Sequence, residues 1–111
     1  MSAIAKRLDT INKKGGLKSV DVANILGTTP ETVSRWNQGR AFPRPTAREQ
    51  IVQLEYIVDQ LADFYDPEEI TLWLISHQKL LGGAVPAMLI QTGRTDEVIR
   101  VVEQLRQGAF V

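Results

Sequence analysis

The 111-residue chain contains no cysteine, which excludes disulfides, thiolate metal sites and a cysteine nucleophile. It has one histidine, His77, and no metal-ligand cluster, phosphate-cradling glycine loop or paired nucleophile and base is visible in the rest of the sequence. Long apolar runs are missing too. The start, MSAIAKRLDTINKK, is amphipathic and resembles neither a signal peptide nor a membrane span, so a cytoplasmic protein without membrane contact is expected. Net charge is absent as well, since thirteen Lys and Arg balance thirteen Asp and Glu. With 43% hydrophobic residues, the chain is able to build one core or two small, mutually dependent lobes, and it is too short for two large domains.

The neutral total conceals a division. From Met1 to Arg48 there are nine basic residues and three acidic ones, whereas from Glu49 onward four basic residues face ten acidic ones. A basic half attracts phosphate by counterion release, and an acidic half repels it. Two different partners are the implication, beside the simpler reading that a short chain divides its charge unevenly by chance.

The apolar spacing is helical almost throughout, and no segment alternates with period two for long enough to form a strand. Ile4, Leu8 and Ile11 mark a first helix that Lys13-Lys14-Gly15-Gly16 stops. Ser19 is placed to cap a second, which carries Val22, Ala23 and Leu26 and ends at Gly27. Thr28 or Thr29 caps a third, opening at Pro30. Thr46-Ala47-Arg48-Glu49 has the form of a capping box ahead of Ile51, Leu54, Ile57, Val58 and Leu61, the longest helix, running to about Tyr65. Its acidic side, Glu55, Asp59 and Asp63, reads most simply as a solvated face. Asp66-Pro67-Glu68-Glu69 opens a fifth helix with Ile70, Leu72, Trp73, Leu74 and Ile75, and Ser76-His77 follows it, the histidine suited to the helix C-terminus. Gly82-Gly83 interrupts, Pro86 opens a short helix closed by Thr92-Gly93, and Thr95-Asp96-Glu97 caps a last one with Val98, Val101, Val102 and Leu105. Gly108 ends it, leaving Ala109-Phe110-Val111. The expected fold class is all-α.

Residues 30–40, PETVSRWNQGR, form a proline-opened, glycine-closed helix with polar side chains on most of its faces. A helix-turn-helix needs a small residue where its helices cross, a residue tolerant of positive φ in the turn and a buried aliphatic in the second helix. Ala23, Gly27 and Val33 supply the three. With Val33 and Trp36 turned inward, Thr29, Glu31, Thr32, Arg35 and Gln38 face out, and Thr28, Arg40, Arg44 and Arg48 lie close by. Arginine suits guanine O6 and N7, glutamine suits adenine, and threonine hydroxyls with helix N-terminal amides suit phosphate. The alternative is an αα-corner whose exposed face is merely polar.

The same residues carry a family resemblance. GTTPETVSRWNQGRAFPR is similar to the Xre-like, Cro-repressor type of helix-turn-helix, in which a T-x-x-T-V-x-R-W-x-x-G run marks the recognition helix. The second half, DPEEITLWLISHQKLLGGAVPAMLIQTGRTDEVIRVVEQLRQGAF, resembles the toxin-binding domain of the Xre/MbcA/ParS antitoxin group. There a tryptophan helix precedes an L-x-G-x-x-P-x-x-L-x-x-x-G core and a helix ending in glycine and an aromatic. Trp73, Leu81, Gly83, Pro86, Leu89, Gly93, Glu97, Val98, Val102, Leu105, Gly108 and Phe110 match, and Gly82 is an added glycine.

What the resemblance implies is an N-terminal helix-turn-helix region over 1–45, a connecting long helix over 46–66 and a small helical toxin-binding domain over 67–111. It implies a type II antitoxin without catalysis or cofactor. Such an antitoxin blocks a RES-domain, NAD-depleting toxin with its C-terminal region, here Arg106, Gly108, Ala109, Phe110 and Val111, and represses its own operon. Operator DNA and a homodimer within a toxin–antitoxin hetero-oligomer are the implied partners. The apolar tail either plugs the toxin or folds back on the last helix. A stand-alone repressor whose second half dimerises or senses a ligand is the alternative for the whole protein.

Overall fold

A computed structural model describes residues 2–108. Seven α-helices make up this part of the chain: α1 (Ala3–Gly15), α2 (Ser19–Leu26), α3 (Pro30–Asn37), α4 (Pro45–Leu61), α5 (Pro67–Ile75), α6 (Pro86–Gln91) and α7 (Thr95–Gln107), with a 3₁₀ turn at Lys79–Leu81 and no strand among the described residues.

Proline fixes where the helices begin. Four of the five prolines stand at the first helical position, where the missing N–H is no loss and φ is already helical. At α3 this leaves Thr29 as the cap, its Oγ1 accepting the Thr32 N–H at 3.2 Å. At α5 the expected box is complete. Asp66 Oδ1 accepts from Glu69 N–H at 2.9 Å, and Glu69 Oε1 accepts from Asp66 N–H at 3.0 Å. Three expected caps are displaced. Thr46 lies inside α4, because Pro45 starts that helix one residue earlier and Arg44 is the cap position. Ser19 is the first residue of α2 rather than its cap; Lys18 holds that position, and its N–H donates to Asp21 Oδ2 at 2.9 Å. Thr95 is likewise the first residue of α7, buried to 3% exposure, while the Arg94 guanidinium clasps Glu97 in the first turn.

The buried apolar side chains of both sequence halves belong to one cluster. Its axis is α4, whose Ile51, Leu54, Ile57, Val58 and Leu61 are all fully buried. Helix α1 packs along one side of α4 and α7 along another, while α2 meets α6 and α1 meets α5. The approach of α1 to α4 is close enough that a Cβ at Gly15 would lie 2.9 Å from Val58 Cγ2. Immediately after it, Thr71 Oγ1 of α5 donates to the Gly15 carbonyl at 2.7 Å. The Cα radius of gyration, 13.4 Å, is that of one folded body rather than two lobes on a linker.

Charge joins the same helices. Glu55 receives Arg7, Asp59 receives Lys14 at 2.6 Å, and Asp63 receives Arg106 at 3.5 Å. The acidic side of α4 is thus a seam between α1 and α7, not a purely solvated face. Part of the charge division seen in the sequence is spent inside the fold. The Asp59 hydrogen bond, with its charge, holds the Lys14 ammonium above its ordinary pKa.

Two outcomes follow from this packing. In the single-tryptophan variants Trp36→Phe and Trp73→Phe, the remaining ring reports one half each, since both are nearly buried at 6% and 8% exposure. Fluorescence and far-UV circular dichroism should give the same urea midpoint within each variant, and adding Leu54→Ala should lower stability by about 2–5 kcal/mol in both backgrounds. Separate transitions for the two halves would mean two cores. At α7, hydrogen bonding to Arg94 depresses the Glu97 pKa. The stabilisation from that pair is therefore present above the ordinary glutamate pKa and lost as pH falls through the depressed one. Arg94→Gln should lower the melting temperature at neutral pH and match the parent in strong acid.

Candidate functional site

Helices α2 and α3 pack as the sequence pattern requires. Ala23 is 1% exposed where they cross, Gly27 adopts φ 72° in the turn, and Val33 is buried at 2% on the inner side of α3. The Thr28 N–H reaches back to the Ala23 carbonyl at 2.9 Å, closing the turn. A left-handed residue is required at position 27, and glycine takes it without a Cβ penalty. Trp36, 6% exposed, holds α3 against the core rather than pointing outward.

The remaining faces of α3 are open. Thr29, Glu31, Arg35, Gln38, Arg40 and Arg44 are exposed, and Thr28 and Thr32 are half-buried. Gln38 is the C-cap of α3, just beyond its last helical residue, and Arg40 and Arg44 lie on the connection to α4. A chain of hydrogen bonds runs along the outer face. Thr29 Oγ1 lies 2.9 Å from Thr32 Oγ1, and Arg35 Nη2 donates to Thr32 Oγ1 at 3.3 Å. The guanidinium is thereby drawn back toward the first turn of α3. Pre-positioning of this kind reduces the rotamer entropy lost on binding.

The ion pairs sharpen the electrostatics. Arg7, Lys13, Lys14, Arg94, Arg100 and Arg106 all have acidic partners. Among the described residues, Arg35, Arg40, Arg44 and Arg48 have none. Four uncompensated guanidinium groups therefore cluster on α3, the connection and the first turn of α4. This surface suits a polyanion, and it coexists with a neutral total charge because six of the thirteen cations are paired with carboxylates elsewhere.

The second surface is on the C-terminal half. Between α5 and α6 the chain closes a tight loop: His77 Nδ1 lies 2.7 Å from the Gly83 carbonyl, Gly83 N–H donates to the Gln78 carbonyl, and Gln78 Nε2 donates to the Trp73 carbonyl. His77 thus ties this loop rather than serving the α5 C-terminus. Leu72, Ile75 and Met88 remain 59–62% exposed beside it. An apolar groove of about 300 Å³ between α2, α5 and α6 includes Leu17, Ile25, Ile75, Val85 and Met88 in its lining. The sequence reading names Leu72 and Ile75 only as apolar residues of this helix. The signal for their exposure is the crowding of apolar residues on α5, where Ile70, Leu72, Trp73, Leu74 and Ile75 exceed the single stripe that a helix at the edge of a fold is able to bury. Of the expected toxin-binding residues, Arg106 is exposed and pairs with Asp63, and Gly108 is the C-cap of α7 at φ 70°. Ala109, Phe110 and Val111 lie outside the described residues.

Among the described residues no group of three or more His, Asp or Glu is placed to hold a metal ion. No helix described is long and apolar enough to cross a membrane. The two surfaces suit binding, one to a polyanion and one to an apolar partner face.

No protein-family model matches the chain. Mycobacterial cidal antitoxin MbcA of Mycobacterium tuberculosis is 25% identical over 111 residues, covering 100% of this chain and 98% of that protein. Its architecture is shared: a chain of the crystal structure of the M. tuberculosis MbcT–MbcA toxin–antitoxin complex superimposes with a TM-score of 0.86 at 25% identity over 100% of both chains. The repressor protein CI of Enterobacteria phage phi80 is 34% identical over 61 residues, which is 55% of this chain and 26% of the repressor. A probable mycobacterial cidal antitoxin of M. tuberculosis is 30% identical over 99 residues, 89% of this chain and 84% of that protein. With that identity over that length, and with the same seven-helix architecture, the chain belongs to the mycobacterial cidal antitoxin family typified by MbcA.

Proposed function

We propose that this antitoxin neutralises a RES-domain toxin that depletes NAD, and that it represses its own operon through α2 and α3. The observation that carries the first part is the end-to-end likeness to MbcA, a protein solved in complex with the toxin MbcT. In this reading residues 1–45 face DNA, residues 46–66 connect, and residues 67–111 face the toxin. The exposed Leu72, Ile75 and Met88 supply apolar contact area, and Arg106, Gly108 and the tail Ala109-Phe110-Val111 reach toward the toxin's active-site cleft.

The second part rests on the uncompensated arginines around α3 and on the likeness to a phage repressor. Arg35 reads a base edge, Gln38 and Glu31 border it, Thr28, Thr29 and Thr32 lie along the phosphates, and Arg40 and Arg44 add backbone contacts. One short helix reads too few base pairs for useful specificity, so a homodimer on a two-fold operator is part of the proposal.

NAD in cells expressing the neighbouring gene tests the first part. It should collapse with that gene alone, recover when this chain is co-expressed, and stay low when the chain is stopped after Gly108. Rescue by the shortened chain would remove the tail from the inhibitory surface, and NAD that never falls would leave a stand-alone regulator. For the second part, Arg35→Ala should weaken operator binding by about 1–3 kcal/mol, roughly five- to 150-fold, and leave toxin affinity unchanged. Loss of both together would overturn the assignment of separate surfaces.

A further inference from the structure

Phe42 has the highest exposure, 74%, of the large apolar side chains among the described residues. It sits on the connection from α3 to α4, two residues after Arg40 and two before Arg44, both exposed. No ring stacks on it; the aromatic pair among the described residues is Phe64 with Tyr65. Pro43 and Pro45 fix φ on either side of Arg44, whose own φ of −64° and ψ of 160° are extended. The ring is therefore presented by a stiff segment. Between that segment and α3 lies a cleft of about 530 Å³, with Thr32, Arg35, Trp36, Phe42 and Arg44 in its lining.

We infer that Phe42 is a DNA-contacting residue, its ring packed on a deoxyribose of the strand whose flanking phosphates are taken by Arg40 and Arg44. This rests on the DNA-binding reading above and adds an apolar contact to it. Two features select the occupant. The first is charge: Arg35 and Arg44 line the same cleft as the ring, Arg40 is two residues before it and Arg48 is in the first turn of α4, all without acidic partners. A second copy docked through Phe42 would bring four more guanidinium groups against these, a like-charge arrangement that a polyanion reverses. The second is spacing. In an extended, proline-bearing segment, residues two apart are separated by about 6 Å, and Phe42 and Arg44 both line the cleft beside α3. One strand can therefore meet both, sugar to phosphate. An apolar contact of this kind adds affinity without displacing a counterion, and that distinguishes it from its neighbours.

The test is a fluorescence-anisotropy titration of the full chain against a labelled duplex copied from the DNA immediately upstream of its coding sequence, at several KCl concentrations. Phe42→Ala should lower affinity about tenfold at every salt concentration, with the slope of log affinity against log salt unchanged. Phe42→Leu should recover part of the loss, and Arg44→Ala should reduce the slope by about 1. Because the ring is exposed, Phe42→Ala should melt as the parent does. If Phe42→Ala binds like the parent while Arg35→Ala binds more weakly, the ring is not at the DNA. If its weaker binding comes with a dimer-to-monomer shift in sedimentation velocity, Phe42 contacts a second copy and the inference is overturned. If neither Phe42→Ala nor Arg35→Ala changes binding, the DNA-binding reading of α3 is itself wrong.

Discussion

Burial of α4 against helices from both ends of the chain is the constraint on which the rest of the structure depends. Ile51, Leu54, Ile57, Val58 and Leu61 are fully excluded from water, and burying side chains of this size contributes about 1.5–3 kcal/mol each relative to exposure. Neither α1 to its N-terminal side nor α7 to its C-terminal side would keep an apolar stripe covered without it. The Gly15 approach to Val58 sets how near α1 lies, and the Thr71 hydroxyl on the Gly15 carbonyl fixes where α5 begins to pack. The cationic surface around α3 and the apolar surface of α5 and α6 are thus two exteriors of one core.

The charges divide along the same lines. Arg7 and Lys14 meet carboxylates of α4, and Arg106 meets Asp63 just beyond its end, so much of the sequence asymmetry serves to align helices. Such surface pairs are individually weak, typically 0 to about 1 kcal/mol. Their larger effect is to engage most of the cations of α1 and both arginines of α7, so that the four unpaired arginines lie on α3, the connection and the start of α4. A chain with no net charge therefore still presents a strongly cationic face.

The helices and their order were legible because apolar spacing and proline punctuation are local signals. Ala23, Gly27 and Val33 were legible as a set because their requirements are steric and independent of the rest of the fold. The caps at Ser19, Thr46 and Thr95 were misplaced by one or two residues because several capping residues stand near each start: Pro45 and Asp21 settle the first turns of α4 and α2 locally, whereas the burial of Thr95 depends on the packed fold. The pairing of Glu55, Asp59 and Asp63 spans dozens of residues, and no local pattern encodes it. Leu72 and Ile75 were legible as apolar but not as exposed, because a helix at the edge of the fold has more apolar faces than neighbours. His77 was assigned to the nearest helix end, whereas its partner, the Gly83 carbonyl, comes into reach only when the loop closes.

The continuity of the core through α4 also bears on turnover. A domain joined by a flexible linker yields, when cut or pulled from one end, a folded remnant that keeps half of the activities. Here α1 and α7 pack on the same α4, so unravelling α7 exposes to water one side of the helix on which α1 rests. A cut near either end therefore weakens the support of both surfaces at once.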